Sequence, residues 1–163
     1  MRGISRTLGG FLLDLGNFRF WEIWNRLSVL LRIKKDPYDN FFDLVEIHKK
    51  FPIKSMFFFQ FAKHSAHDKN VSTNNNRFRY LIKSIADYSI VSLSTSFVST
   101  SDKNVLREEK KQLGNLINRP ITYARLRYNK VNVPITYRNL VETEFTDDFS
   151  MGYTHEIGFR AGT

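Results

Sequence analysis

From residue 38 onward, amphipathic stretches alternate four times with short apolar runs, and this order leaves few folds open to the chain. Residues 38–50, YDNFFDLVEIHKK, set Phe41, Leu44, Val45 and His48 at helical spacing, with basic residues at the end where a helix dipole favours them. Ser55-Met-Phe-Phe-Phe-Gln-Phe61 follows, bounded by Pro52 and a polar loop. It is too short and too aromatic for a helix and reads as a buried parallel strand. A second helix is expected from about Asn76 to Ala86 and a second strand from Tyr88 to Leu93. Ser101 or Asp102 caps a helix that carries Val105, Leu106, Leu113, Leu116 and Ile117 on one face. Asn118, which tolerates the left-handed conformation, ends it, with Pro120 two residues on. Ile121–Leu126 is a third strand, Pro134 opens another helix at its first turn, and residues 146–152 form a fourth strand.

Strands separated by helices cannot pair as hairpins. They are expected to lie parallel, joined by right-handed crossovers, so the fold class is α/β, an open sheet or a sector of a β/α barrel with about four parallel strands. Such folds carry their chemistry on the loops after the carboxyl ends of the strands. Here those loops begin at Ala62, Ser94, Arg127 and Tyr153.

Ahead of this series, residues 18–33 place Phe20, Trp24, Leu27 and Leu31 at helical spacing, and Lys34-Lys-Asp-Pro37 breaks the pattern. The chain therefore divides into an N-terminal helical segment, 1–34, and a main domain, 35–163. The first fifteen residues are basic and then apolar, as in a secretory leader. Gly9, Gly10 and Asp14 interrupt the apolar part and no small-x-small site follows, so an amphipathic helix is the expectation. No apolar run approaches the roughly 18 residues of a membrane span. There is no cysteine, which excludes disulfides and thiolate metal sites and fits a reducing, cytoplasmic compartment.

The hydrophobic fraction of 42% and the fifteen phenylalanines are far above what a disordered chain carries. A net charge of +9 is compatible with an anionic partner. The charge is scattered, however. Arg32, Lys34 and Lys35 form one cluster, and Lys110 and Lys111 adjoin Glu108 and Glu109. A solvated surface is the expected reading, with no nucleic-acid partner.

The last third adds a more specific signal: Pro134-Ile-Thr-Tyr-Arg-Asn-Leu140, then Asp148-Phe-Ser-Met-Gly-Tyr153, then Gly158-Phe-Arg-Ala-Gly-Thr163. Together with Lys35-Asp-Pro-Tyr-Asp39, Asp68-Lys-Asn70 and Arg119-Pro-Ile-Thr122, this ordered series resembles the polysaccharide deacetylase-like proteins, the NodB-homology group of carbohydrate esterases. The resemblance covers about residues 35–163. It implies a distorted β/α barrel, of which this stretch supplies a part, and a hydrolase that removes acetyl groups from the N-acetylated sugars of a polysaccharide. A partial barrel leaves an open sheet edge, so residues 4–33 or an oligomeric partner are expected to cover it.

Enzymes of this group are expected to hold a zinc-like divalent cation between an Asp and two His, the cation polarising the carbonyl and activating water. The resemblance places Ser94 and Arg127 where imidazoles are expected. Serine is a poor ligand and arginine, always protonated, is none. No metal ligand and no cofactor are therefore expected in this chain, and catalysis is expected to be weak or absent. The alternative is a non-catalytic carbohydrate-binding or scaffold module. Arg160, between small residues, is the implied orienter of a catalytic carboxylate, with Asp148 as that carboxylate or as a structural acceptor. Asp68, Asn70, Tyr153 and His155 are the candidate sugar contacts. His64 and His67 are spaced three apart after the first strand and read as surface histidines.

Overall fold

The computed structural model describes residues 21, 24, 27–29, 31, 33–34, 40–51, 53–153 and 155–158, without the side chains of Phe42 and Asn129. The chain divides into two compact units, Met1–Ile53 and Lys54–Thr163.

In the first unit, Trp21, Trp24 and Leu27–Val29 are helical. The backbone N–H groups of Ile33 and Lys34 donate to the Ser28 carbonyl at 2.8 and 3.2 Å, closing that helix in a turn. Helix α1, Phe41–Lys50, carries Asp43 in its first turn and His48, Lys49 and Lys50 in its last, the polarity a helix dipole favours. Residues 35–37, where the sequence breaks the helix, lie outside the described residues.

The second unit runs β1 (Met56–Phe59), α2 (Asn76–Ala86), β2 (Ile90–Ser94), α3 (Lys103–Ile117), β3 (Tyr123–Arg125), a 3₁₀ turn (Arg127–Asn129), α4 (Ile135–Glu142) and β4 (Asp147–Asp148). All three strand pairs are parallel, in the order β1-β2-β3-β4. Spatial order thus follows chain order. With right-handed crossovers this stacks α2, α3 and α4 on one face of the sheet. The expected fold class holds at that level, while the strands are shorter than expected. The fourth, predicted over residues 146–152, is a ladder of two residues, with a further isolated bridge at Gly152. Ser150 Oγ, which bonds Asp148, takes the Leu126 N–H at 2.7 Å in place of a main-chain carbonyl, and there the ladder ends.

Register sorts the side chains. Phe59, Leu93, Ala124 and Asp148 are aligned across the sheet, as are Phe57 and Val91. Phe59 meets Phe78 of α2 edge-on at 6.2 Å, which makes this the helix-covered face. Leu93 and Ala124 are fully buried there, beneath Ile82 and Ile85 of α2 and Leu106 and Leu113 of α3. The opposite face carries Phe58, Ser92 and Tyr123, and Phe149 packs against Phe58 and Tyr123 at 5.4 and 6.0 Å.

Local chemistry fixes the helix ends. Asn75 and Asp102 cap α2 and α3, each side chain accepting two backbone N–H groups. Asn118 closes α3 in the left-handed conformation, φ 53° and ψ 38°, its N–H donating to the Gly114 carbonyl. Lys110, taken from the sequence as part of a solvated charge run, instead donates to the carbonyls of Thr143 and Glu144 at 2.6 and 2.9 Å, beyond the end of α4. Its Nζ lies 4.8 Å from the Phe145 ring centroid, and burial lowers its pKa while Glu144 raises it.

Candidate functional site

The carboxyl ends of β1, β2 and β3 open into three loops, and one buried carboxylate ties the first two together. Asp68 is 1% exposed. Its Oδ1 accepts from Gln60 Nε2 at 2.6 Å, its Oδ2 from Ser65 Oγ at 3.1 Å, and both oxygens accept the backbone N–H of Phe97, at 3.2 and 3.0 Å. A turn in which Ser65 N donates to the Asp68 carbonyl and Asp68 N to Ser65 Oγ presets the position of this carboxylate. Asp68 is thus buried and fully engaged in holding the first two loops together.

Arg127 brings in the third loop. Its guanidinium donates to Gln60 Oε1 and lies 3.9 Å from Asp68 Oδ1, with the side chain about one third exposed. Its backbone N–H donates to Thr95 Oγ1 at 3.3 Å, and Thr95 N donates to the Arg125 carbonyl at 3.1 Å. Gln60, Asp68, Thr95 and Arg127 thus form one polar cluster across the ends of three parallel strands.

Above the cluster lies an aromatic group. The His67 ring stacks on Phe97 with centroids 4.2 Å apart, Tyr128 meets Phe97 edge-on at 5.9 Å, and the Tyr128 hydroxyl donates to the His67 carbonyl at 2.8 Å. Lys130 Nζ stands 4.2 Å from the Phe97 centroid. Tyr128 holds φ +60°, ψ 11° although its side chain is 58% exposed. A bulky residue in that region is strained by about 1–3 kcal/mol, and core packing does not account for it here.

Behind the loop after β2, Glu109 of α3 is buried, not part of a solvated charge run as its neighbours in sequence imply. It accepts the Ser96 N–H at 3.2 Å. Loss of water raises its pKa; hydrogen bonds from Ser96 and Ser99 oppose that, and the Asp68 charge adds to it.

The other expected residues are placed as follows. Asn70 turns inward, its Nδ2 donating to the Ala62 and Val71 carbonyls at 2.5 and 3.2 Å, so it staples the loop. Asp148 Oδ1 accepts from the backbone N–H and the hydroxyl of Ser150, and Ser150 Oγ accepts the Leu126 N–H at 2.7 Å, joining the ends of β3 and β4. Asp148 Oδ2 is buried and has no hydrogen-bond partner among the described residues. Tyr153 is half exposed; its ring packs at Gly158, whose φ of +143° suits glycine, and folds the following loop back on itself. His155 is exposed in that loop. Arg160, and any pairing of it with Asp148, lies outside the described residues. His64 points to a different place from His67, lining a cleft of about 490 Å³ with Arg79 and Asn115.

The donor set does not suit a divalent cation. At the ends of β1–β3 the carboxylate of Asp68 is already saturated by N–H and O–H donors and faces a permanent positive charge. Among the described residues no three His, Asp or Glu side chains converge on a point that could hold a metal. Likewise, no described helix is long and apolar enough to cross a membrane.

Sequence reasoning pointed to these loops but did not single out Gln60, Phe97, Tyr128 and Lys130. Gln60, the one polar interruption of the Phe run, was the available signal. Compared with protein-family models, curated proteins and solved structures, the chain matches none.

Proposed function

We propose that this chain is a polysaccharide deacetylase-like domain in which the metal centre is replaced by a Gln60–Asp68–Arg127 cluster, and that it binds N-acetylated sugars of a polysaccharide without hydrolysing them. The observation that carries this is the guanidinium of Arg127 standing against Asp68 at the carboxyl ends of the parallel strands. In the barrel this reading implies, the Phe58–Tyr123–Phe149 face is part of the interior, and the strand ends form the mouth where sugars bind.

The residues favour binding over hydrolysis for a physical reason. Amide cleavage at neutral pH needs an activated water and a stabilised oxyanion. The cluster presents hydrogen-bond donors, suited to carbonyl and hydroxyl oxygens, and its carboxylate, Asp68, is already saturated by donors. Glu109 is buried behind Ser96 and Ser99, away from any ligand at the mouth. Asp148 and Arg160 remain the residues to which the resemblance gives an oriented carboxylate, and Tyr153 and His155 remain its candidate sugar contacts.

The test pairs a titration with chitotetraose, in chelator and in added zinc, with an assay for released acetate. Saturable binding equal in both buffers and no acetate are the expected results. Zinc-dependent release of acetate would overturn the reading.

A further inference from the structure

We infer that the sugar held at the strand ends is anionic, a glycan bearing carboxylate, sulfate or phosphate groups; this rests on the sugar-binding reading above. Two independent observations carry it.

The first is charge. The loop after β3 brings Arg127 and Lys130 to this edge, and the carboxylate beside them, Asp68, is buried and saturated. The loop after β2 adds only Asp102, whose side chain is engaged in capping α3. Arg127 uses one nitrogen, Nη1, toward Gln60 and Asp68, and among the described residues its other guanidinium N–H groups have no hydrogen-bond partner. A planar fork with open donors matches an oxyanion in two-point fashion, which a neutral hydroxyl cannot return.

The second is the strained, exposed Tyr128. Its left-handed backbone turns the ring outward between Arg127, whose guanidinium carbon is 5.1 Å from the ring centroid, and Phe97, which Lys130 covers. Strain kept at a surface residue signals a use for the position of the ring. A flat, half-exposed ring offers an apolar face to the C–H side of a pyranose. The cations on either side stand where that sugar's acidic substituent would project.

The test titrates the full chain with chitotetraose and with a hyaluronan tetrasaccharide, in which N-acetylglucosamine alternates with glucuronate, at 50 and 300 mM salt, beside Lys130→Gln and Tyr128→Ala. The expected result is at least tenfold tighter binding of the acidic sugar. That preference should shrink at high salt and fall severalfold in Lys130→Gln, which should weaken the acidic sugar more than chitotetraose. Tyr128→Ala should weaken both sugars. Equal binding of the two sugars by the parent chain would overturn this inference and leave the sugar-binding reading standing; binding of neither would overturn both. A single-stranded RNA oligomer that outcompetes the acidic sugar would mark the edge as a nucleic-acid site and overturn the inference as well.

Discussion

Asp68 shows how a residue that looks like ordinary loop chemistry in the sequence becomes a keystone in the fold. The carboxylate satisfies donors from Gln60, Ser65 and Phe97, so replacing it leaves buried donors without partners. Asp68→Ala should destabilise the domain by about 2–4 kcal/mol in urea unfolding, since each unsatisfied buried group costs about 1–3 kcal/mol. Glu109 gives a pH signature. Its folded pKa is raised above its ordinary 4.5, so the folded state holds the proton more tightly than the unfolded chain does. Its contribution is undiminished below that ordinary value and is lost as pH rises through it to the raised one, where ionisation opposes folding. Glu109→Gln retains an acceptor for Ser96 N and removes the charge. The stability of the variant relative to the parent should therefore grow across that window and then level off in denaturation curves taken from pH 4 to 8. A gap that shrinks with pH would show that the carboxylate is stabilised by its surroundings.

At the scale of elements, the sequence was legible wherever local chemistry decides. The alternation of strands and helices, the cap at Asp102 and the left-handed stop at Asn118 follow from propensity and side-chain hydrogen bonding within a few residues. Asn75→Ala and Asp102→Ala should each cost about 1 kcal/mol by thermal or denaturant unfolding, the ordinary loss on removing an N-cap. Strand lengths were not legible. β4 ends after two residues, where Ser150 Oγ takes the Leu126 N–H, a competition that an apolar pattern does not reveal. A two-residue edge strand with Asp147 exposed also offers little ladder to a second sheet, which limits edge-to-edge association. The site was half legible. Its loops follow from parallel topology, whereas the pairing of Gln60 with Arg127 spans 67 residues and depends on strand register. The role of Lys110 is likewise tertiary. Lys110→Met keeps the packing on Phe145 but strips the donors from the Thr143 and Glu144 carbonyls, and should cost about 1–2 kcal/mol.

Across the whole molecule, the net charge of +9 and the cationic strand-end edge favour anionic partners, and neither specifies chemistry alone. At the ends of β1–β3 stand hydrogen-bond donors and a fixed cation. The most direct measurement is calorimetric titration of the full chain with chitotetraose, in chelator and then in zinc, with metal content determined on the same sample. The same saturable isotherm in both buffers and no stoichiometric metal on the protein are expected. Binding that appears only with zinc, together with one tightly held zinc per chain that Arg127→Ala leaves in place, would contradict the proposed function.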